Sequence, residues 1–333
     1  GDKLIKLNTN ENPYPPAPGV QKALKEMDYD RLRKYPDPAC TVLVEELAGY
    51  YHVNPDQVFV GVGSDDVLAM AFLTFFNSEK PVLFPDITYS FYKVWADLYR
   101  IPYETPALDG DFNIIPEDYE KENGGVIFPN PNAPTGIYMP LEQVEGIIKA
   151  NQDVVVIVDE AYIDFAGRSA LELIGRYENL LVVQTFSKSR SMAGMRIGFA
   201  IGNQRLIKAL NDVKYSYNSY TMNLPSIVMG TESVRDKAYF KETTDKIIAT
   251  RERAKKRLSG LGFTYPDSRA NFIFASHPRV PAYKLFEALK QEQIYVRYFG
   301  GERLCDSLRI SIGSDEEMEE LFAFLERYLK DFS

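Results

Sequence analysis

The stretch Val154-Val-Val-Ile-Val158-Asp159-Glu160-Ala161-Tyr162 decides the fold, because five apolar β-branched residues run directly into two acidic ones. A strand that is apolar on both faces is typical of a sheet covered on both sides. Similar apolar runs occur at residues 58–62, 82–84, 126–128 and 180–183. Helical patterns separate the runs, at residues 65–76, 89–99, 141–149 and 170–177. This alternation predicts an α/β fold with a mostly parallel central sheet flanked by helices.

The pattern changes in the last third of the chain, where helical segments at 203–215 and 235–261 precede short strands. Those strands are expected at residues 271–274, 294–297 and 308–312. Ser314-Asp-Glu-Glu317 is a capping box that begins a final helix. The first twenty-five residues are rich in proline and predict an extended arm. We therefore predict an arm at 1–27, a large domain at 28–230 and a smaller α+β domain at 231–333.

The composition is that of an ordinary globular protein, with 333 residues, 45% hydrophobic and 26% charged, and a net charge of −9. An acidic chain predicts no nucleic-acid partner and no anionic membrane partner. Cys40 and Cys305 are too few for a disulfide framework, which favours a reducing, cytoplasmic location. His52 and His277 have no Cys or His at ligand spacing, so no metal site is expected. We also expect no targeting segment and no membrane span.

Two glycine-containing turns follow predicted strands. In Gly61-Val-Gly-Ser64-Asp65-Asp66, the backbone N–H groups of a helix N-terminus can bind an anion. Asp66 replaces the third glycine of the dinucleotide fingerprint, and taken alone the segment is better explained as a plain capped turn. Asn130-Pro-Asn-Ala-Pro-Thr-Gly136 is a tight turn after the third strand, at the edge where α/β proteins bind ligands. Taken alone, a plain turn explains it equally well.

Asp159 and Lys188 follow two further strands. An acidic residue directly after a buried strand needs a partner, because an unpaired buried carboxylate is costly. The partner could be a metal ion or the cationic ring nitrogen of a cofactor, and the alternative is a helix N-cap. Thr185-Phe-Ser-Lys188 and then Arg196 indicate a Schiff-base lysine beside hydroxyl and guanidinium groups that suit a phosphate. A surface lysine is the alternative.

Taken in chain order, the two turns and the segments that contain Asp159 and Lys188 resemble the fold-type I aminotransferases that depend on pyridoxal phosphate. The resemblance is greatest to the subgroup that acts on histidinol phosphate. The resemblance covers nearly the whole chain and includes Asn10-Glu-Asn-Pro13, Lys34-Tyr35-Pro-Asp37 and Asp159-Glu-Ala-Tyr162-Ile-Asp-Phe165. It implies a large domain that binds pyridoxal 5′-phosphate and a reaction between L-histidinol phosphate and 2-oxoglutarate in histidine biosynthesis. It also implies a homodimer.

The resemblance implies roles for particular residues. Lys188 would hold the cofactor as a Schiff base and act as general base, while Asp159 would pair with the pyridine nitrogen. Tyr162 would donate to the ring 3′-oxygen, and Tyr89 would stack on the ring. The cofactor phosphate would bind the N–H groups of Ser64 and Asp65 and the side chains of Thr185, Ser187 and Arg196. Tyr35 would reach the phosphate of the neighbouring subunit, so that each site needs a dimer.

One position departs from the family pattern, because Ala133 stands where relatives often have an asparagine that contacts the ring 3′-oxygen. We assign that contact to Asn132, with Asn130 as the alternative. For the substrates, the resemblance implies that Arg309 binds the co-substrate α-carboxylate. Arg297 would bind the substrate phosphate or the distal carboxylate of glutamate. Asn12 and Tyr14 of the arm would close over the imidazole, and the alternative is that the arm only packs.

Three other functions stay open at this point. The first is an aromatic amino acid aminotransferase, and the second is a pyridoxal-phosphate-dependent decarboxylase that resembles threonine-phosphate decarboxylase. The third is a ligand-binding module without catalysis.

Overall fold

The computed structural model describes residues 3–332. Gly1 and Asp2 of the predicted arm and Ser333 of the predicted small domain lie outside the described residues. The strands are β1 (Ile5–Lys6), β2 (Val58–Gly61), β3 (Val82–Leu83), β4 (Tyr103–Glu104), β5 (Val126–Pro129), β6 (Val156–Asp159), β7 (Leu180–Thr185), β8 (Gly198–Gly202), β9 (Phe272–Ser276), β10 (Ile294–Tyr295), β11 (Arg297–Tyr298) and β12 (Ser307–Ser311). The helices are α1 (Pro18–Lys25), α2 (Thr41–Tyr51), α3 (Ser64–Phe75), α4 (Phe91–Leu98), α5 (Leu141–Ala150), α6 (Gln204–Tyr217), α7 (Leu224–Arg235), α8 (Lys237–Gly260), α9 (Ala282–Gln291) and α10 (Asp315–Asp331).

A seven-stranded sheet forms the centre of the large domain, in the order β2-β8-β7-β6-β5-β3-β4. Strands β3 to β7 pair in parallel, and β8 runs antiparallel to both of its neighbours. Apolar residues alternate between the two covering layers. Val156 and Val158 pack into one core, while Ile157 between them packs into the other. The predicted mostly parallel sheet is therefore confirmed, and the apolar run of β6 is explained by burial on both faces.

The small domain contains an antiparallel sheet in the order β11-β12-β9, covered by α8, α9 and α10. The predicted strand at 294–297 is divided into β10 and β11 because its two halves pair with different partners, β1 and β12. The predicted capping box at Ser314 is present at the start of α10.

Two predictions of local structure are wrong. Residues 170–177 form only a short 3₁₀ helix, Ala170–Leu173, followed by a turn at 174–176 that contains Gly175, a poor helix former. The arm is not extended throughout, because Pro18 occupies the first turn of α1, where proline is tolerated.

The boundaries of the predicted domains also need adjustment. Ile5 and Leu7 of the arm lie in the core of the small domain, while α7 packs against α1 and α2 in the large one. We therefore propose that the chain passes into the small domain at Asp236, where α8 is capped, rather than at residue 230.

Candidate active site

A cavity of about 420 Å³ lies at the carboxyl ends of β6 and β7, where the chain turns away from the sheet. It brings together ten of the residues predicted from the sequence: Ser64, Asp65, Tyr89, Asp159, Tyr162, Thr185, Ser187, Lys188, Arg196 and Arg309. Residues that were not predicted also line it, among them Thr9, Asn10 and Glu11 of the arm. The cavity is therefore built by both domains and by the arm.

One end of the cavity is a cradle for an anion. Helix α3 begins after Gly63, which has a φ of 97°. Because glycine has no side chain, residue 63 gives the first N–H groups of the helix no side-chain acceptor. Arg196 Nη1 lies 3.4 Å from Ser187 Oγ, and the Ser187 N–H donates to Thr185 Oγ1 at 3.0 Å. Positive charge and N–H donors converge here, as an anion requires.

Two glycines allow this cradle to close. A Cβ on Gly63 would lie 2.5 Å from Arg196 Nη2, so the guanidinium occupies the space that a side chain would fill. A Cβ on Gly198 would lie 2.3 Å from the backbone nitrogen of Ser64. Strand β8 can therefore approach the helix N-terminus only because residue 198 is glycine.

Asp159 is a buried carboxylate that lacks a cationic partner. Its side chain is 4% exposed, and no salt bridge joins it to a basic residue within the described range 3–332. The Tyr92 hydroxyl donates to Asp159 Oδ2 at 2.6 Å, and the Ala161 N–H lies 3.3 Å from Oδ1. Burial raises the pKa of Asp159 to about 6, although the hydrogen bond from Tyr92 opposes that shift. A bound cation at this position would relieve the cost of burying the charge.

Tyr92 was not among the residues predicted from the sequence. This residue lies in the first turn of α4 (Phe91–Leu98), whereas Tyr89 precedes the helix. The Tyr89 hydroxyl donates to Asp65 Oδ1 at 2.8 Å. The rings of Tyr89 and Tyr92 meet edge to face. In the predicted helix at 89–99, a spacing of three places the two tyrosines on one face, and that spacing was the available signal.

Lys188 follows β7 and reaches into the cavity from the large domain. Its Nζ donates to the carbonyl oxygen of Thr9 at 3.0 Å and lies 6.0 Å from the centre of the Tyr162 ring. The amine has no carboxylate partner among residues 3–332. It is therefore held only by a carbonyl group of the arm, which a bound molecule can replace.

Arg309 and Arg297 are directly opposite each other on the antiparallel strands β12 and β11. Arg309 lies over the rings of Phe272 and Phe299, and its Nη2 donates to the carbonyl oxygen of Asn8 at 2.9 Å. Burial lowers the pKa of Arg309, and its Nε has no hydrogen-bond partner within the described residues. Arg297 is exposed and lies outside the cavity lining, 4.9 Å from the Phe299 ring centre. Opposed residues of an antiparallel pair share one face, so both cations can serve one ligand.

The structure does not place Asn132 in the cavity, and the prediction of its ring contact is corrected. Asn132 Nδ2 donates to the carbonyl oxygen of Ile87 at 3.0 Å, and its Oδ1 accepts from Thr88 Oγ1 at 2.8 Å. Asn130 is equally committed, since its amide exchanges two hydrogen bonds with the backbone of Met139. Both side chains hold the turn together and neither can replace the missing asparagine at position 133.

Asn12 and Tyr14 also lie outside the cavity lining. Asn12 Nδ2 donates to the carbonyl oxygen of Lys188 at 2.9 Å, and its Oδ1 accepts from the Tyr14 N–H at 2.9 Å. The Tyr14 ring packs against the small domain, with Lys246 Nζ 5.4 Å from its centre. The predicted closure of these two residues over an imidazole is not seen, and Asn12 instead holds the backbone of Lys188.

Tyr35 lies far outside the cavity lining, 81% exposed and stacked on Tyr220 at 4.6 Å between ring centres. Its predicted contact with a neighbouring subunit stays a prediction. No group of three potential metal-ligating side chains occurs among the described residues, and no helix there is long and apolar enough to cross a membrane.

Comparison with known proteins identifies the family. The model of the class I and II aminotransferases matches residues 2–325. The chain belongs to this family. Among curated relatives, the histidinol-phosphate aminotransferase of Lactococcus lactis subsp. cremoris MG1363 is 51% identical over 98% of this chain and 92% of that protein. That of Clostridium botulinum Okra is 51% identical over 95% of this chain and 90% of its own length. The resemblance seen in the sequence is therefore confirmed, and this aminotransferase is an enzyme.

Solved structures agree in fold. The histidinol-phosphate aminotransferase of Clostridium acetobutylicum superposes with a TM-score of 0.91 over 98% of this chain and all of that chain, at 22% identity. That of Sinorhizobium meliloti in complex with pyridoxal-5′-phosphate gives a TM-score of 0.89 over 99% and 92%, at 24% identity. These likenesses confirm the fold class of this aminotransferase.

Proposed function

We propose that this aminotransferase transfers an amino group between L-histidinol phosphate and 2-oxoglutarate, as a step in histidine biosynthesis, with pyridoxal 5′-phosphate bound at Lys188. The substrate assignment is supported by curated relatives of that name at 51% identity over nearly the whole chain. The observation that carries the cofactor assignment is one cavity in which the Lys188 amine, an anion cradle and an unpaired buried carboxylate meet.

The residues present fit the cofactor at both of its charged ends. The phosphate would bind the N–H groups of Ser64 and Asp65 and the Arg196 guanidinium, in the cradle that Gly63 and Gly198 leave open. Asp159 would pair with the protonated ring nitrogen, a charge-assisted contact worth about 1.5–3 kcal/mol. When bound, pyridoxal phosphate supplies an aldehyde that captures an amine and a ring that withdraws electrons from it.

The chain itself positions the reacting groups and moves the proton. The Lys188 amine would hold the cofactor and would act as general base toward the α-carbon proton of the amino donor. Asp159 would favour the cationic form of the ring nitrogen, because a carboxylate held in an apolar region gains most from an adjacent positive charge. The Tyr162 hydroxyl would donate a hydrogen bond to the ring 3′-oxygen, and Tyr89 forms a wall of the cavity.

The two arginines explain how one site serves two different substrates. Histidinol phosphate carries a phosphate and no carboxylate, whereas 2-oxoglutarate carries two carboxylates. Arg309, at the cavity wall, would bind the α-carboxylate of the oxo acid. Arg297, next to it on the same face, would bind the substrate phosphate or the distal carboxylate.

The proposal includes a cytoplasmic homodimer in which Tyr35 binds the cofactor phosphate of the partner subunit. Its exposed ring and hydroxyl support that assignment, because an exposed aromatic of this size is typical of an interface.

Steady-state kinetics with several amino donors test the substrate. We expect kcat/KM for histidinol phosphate, with 2-oxoglutarate as acceptor, to exceed that for phenylalanine and tyrosine at least about tenfold, equivalent to ~1.4 kcal/mol in transition-state binding. Faster turnover of phenylalanine would make this an aromatic amino acid aminotransferase. Release of carbon dioxide without any requirement for an oxo acid would instead identify a decarboxylase.

A further inference from the structure

Asn10 connects the arm, the small domain and the cavity. It is 2% exposed and has a φ of 59°, a left-handed conformation that asparagine tolerates better than most residues. Its backbone N–H donates to Ser311 Oγ at 2.9 Å, and its carbonyl oxygen accepts from Asn271 Nδ2 at 2.9 Å. Both partners belong to the small domain, so the backbone of Asn10 is fixed to that domain.

The side chain of Asn10 crosses to the large domain. Its Oδ1 accepts the hydroxyl hydrogen of Ser311 at 2.8 Å, which directs Nδ2 toward Tyr162. Nδ2 then donates to the Tyr162 hydroxyl oxygen at 3.0 Å. An amide NH₂ can only donate, so the tyrosine oxygen is the acceptor in this bond.

The direction of this bond determines where the Tyr162 proton can go. No oxygen or nitrogen among residues 3–332 accepts a hydrogen bond from the Tyr162 hydroxyl, and that residue lines the cavity. Its hydrogen is therefore available to a ligand. A single donor here has particular importance because Ala133 contributes no polar group and Asn130 and Asn132 are committed to the turn.

We propose that Asn10 is a positioning residue which holds the Tyr162 hydroxyl as an acceptor and so directs its proton to the cofactor ring oxygen. This inference rests on the cofactor of the proposed function but not on its substrate. Ser311 lies two residues from Arg309 on β12 and thus on the same face of that strand. Asn10 therefore links the strand that carries the substrate arginine to the tyrosine that faces the ring.

The Asn10→Asp variant tests the direction of the bond. Aspartate has the same size and tolerates the left-handed backbone, but its carboxylate accepts the Tyr162 hydrogen instead of donating to the oxygen. The ring oxygen then loses its donor. The nitrogen that would join Lys188 to the cofactor can hold or lose a proton. The ring oxygen carries the most negative charge when that nitrogen is unprotonated, so a donor to the ring oxygen stabilises the unprotonated form. We therefore expect the apparent pKa of that nitrogen to rise by about one unit, or tenfold in proton affinity.

The measurement is a pH titration of the visible absorption of the cofactor-loaded, substrate-free protein, in a double-mutant cycle with Tyr162→Phe. The single variant Tyr162→Phe should also raise the midpoint. In that background Asn10→Asp should have a smaller effect than with tyrosine, because its route through the hydroxyl is gone and only its charge acts. Equal shifts by Asn10→Asp with tyrosine and with phenylalanine at position 162 would mean that only its charge acts, and would overturn the proposal.

Asn12→Asp is the matched control, since it adds the same charge two residues away on a side chain that contacts Lys188 rather than Tyr162. Its shift should be the same in both backgrounds. If Asn10→Asp does not fold, as judged by thermal melting of the cofactor-free protein, Asn10→Gly takes its place, because glycine accepts a φ of 59° without strain. Wild-type protein that shows no titrating visible band would count against the proposed cofactor itself. A normal wild-type titration without coupling counts against Asn10 alone.

Discussion

Replacing Asp159 with asparagine should stabilise the cofactor-free protein and weaken the cofactor-bound one. Burial raises the pKa of Asp159 from 3.8 to about 6, and this difference corresponds to roughly 3 kcal/mol of destabilisation once the group is ionised. Asparagine keeps the hydrogen bond from Tyr92 and removes the charge. Its NH₂ group, however, would face the Ala161 N–H, so that two donors meet where a hydrogen bond was made before. We therefore expect a net gain of roughly 1–3 kcal/mol at neutral pH.

The stability that Asp159→Asn gains over wild type depends on pH, because only the ionised carboxylate is costly to bury. An acid whose folded-state pKa is raised contributes stability that is present below the unfolded value and is lost as pH rises through the folded value. Wild-type protein thus loses stability between about pH 4 and pH 6 at this site, and the variant does not. Buried Glu160, whose pKa burial raises to about 7, titrates in both proteins and cancels in their difference. The advantage of Asp159→Asn should be nearly absent at pH 4 and complete above about pH 7.

Thermal melting of the cofactor-free proteins across this pH range measures the effect, and a gain of several degrees is expected at pH 8. Asp111→Asn, an exposed aspartate, is the control and should change the melting temperature little. Added pyridoxal phosphate should reverse the order, because only wild type gains the contact of about 1.5–3 kcal/mol with the ring nitrogen. The reasoning would be refuted if the cofactor-free Asp159→Asn protein were less stable than wild type at pH 8. It would also be refuted if the variant gained as much stability over wild type at pH 4 as at pH 8.

Three further changes test the rest of the site. Lys188→Ala should fold, because the amine makes one hydrogen bond to the Thr9 carbonyl, but borohydride should no longer fix the cofactor covalently; retained labelling would place the attachment elsewhere. Arg297→Ala should raise KM for histidinol phosphate by about tenfold and KM for phenylalanine much less, and equal increases would remove Arg297 from phosphate binding. Gly198→Ala should reduce cofactor affinity at least about tenfold, because its Cβ would displace the N-terminus of α3. Gly194→Ala, whose Cβ meets nothing within 4 Å, is the matched control, and equal affinities of the two variants would contradict the role of the close approach.

Most of the residues that the sequence indicated at strand ends do meet in one cavity. Asp159, Lys188 and the turn after β2 were found because parallel strands present their carboxyl ends at a common edge, so position along each strand predicts position in space. Asn132 shows where that reasoning fails. The direction of a side chain in a turn depends on which backbone groups lie nearby, and here the carbonyl oxygen of Ile87, 45 residues away in sequence, takes its amide.

Tyr92 and Asn10 were missed for the same reason. Their bonds to Asp159 and Tyr162 join residues 67 and 152 positions apart. Nothing in the local pattern distinguishes Asn10 from Asn12, although one faces Tyr162 and the other holds the Lys188 backbone.

The sequence alone predicted the buried strands, the helices that alternate with them and the positions of Asp159 and Lys188 at strand ends, because burial and periodicity are local properties of a chain. Only the tertiary structure decided how the arm folds back, which asparagine meets Tyr162 and which tyrosine supports Asp159. Those pairings depend on distances between segments far apart in the chain, and such distances exist only after the two domains have packed together.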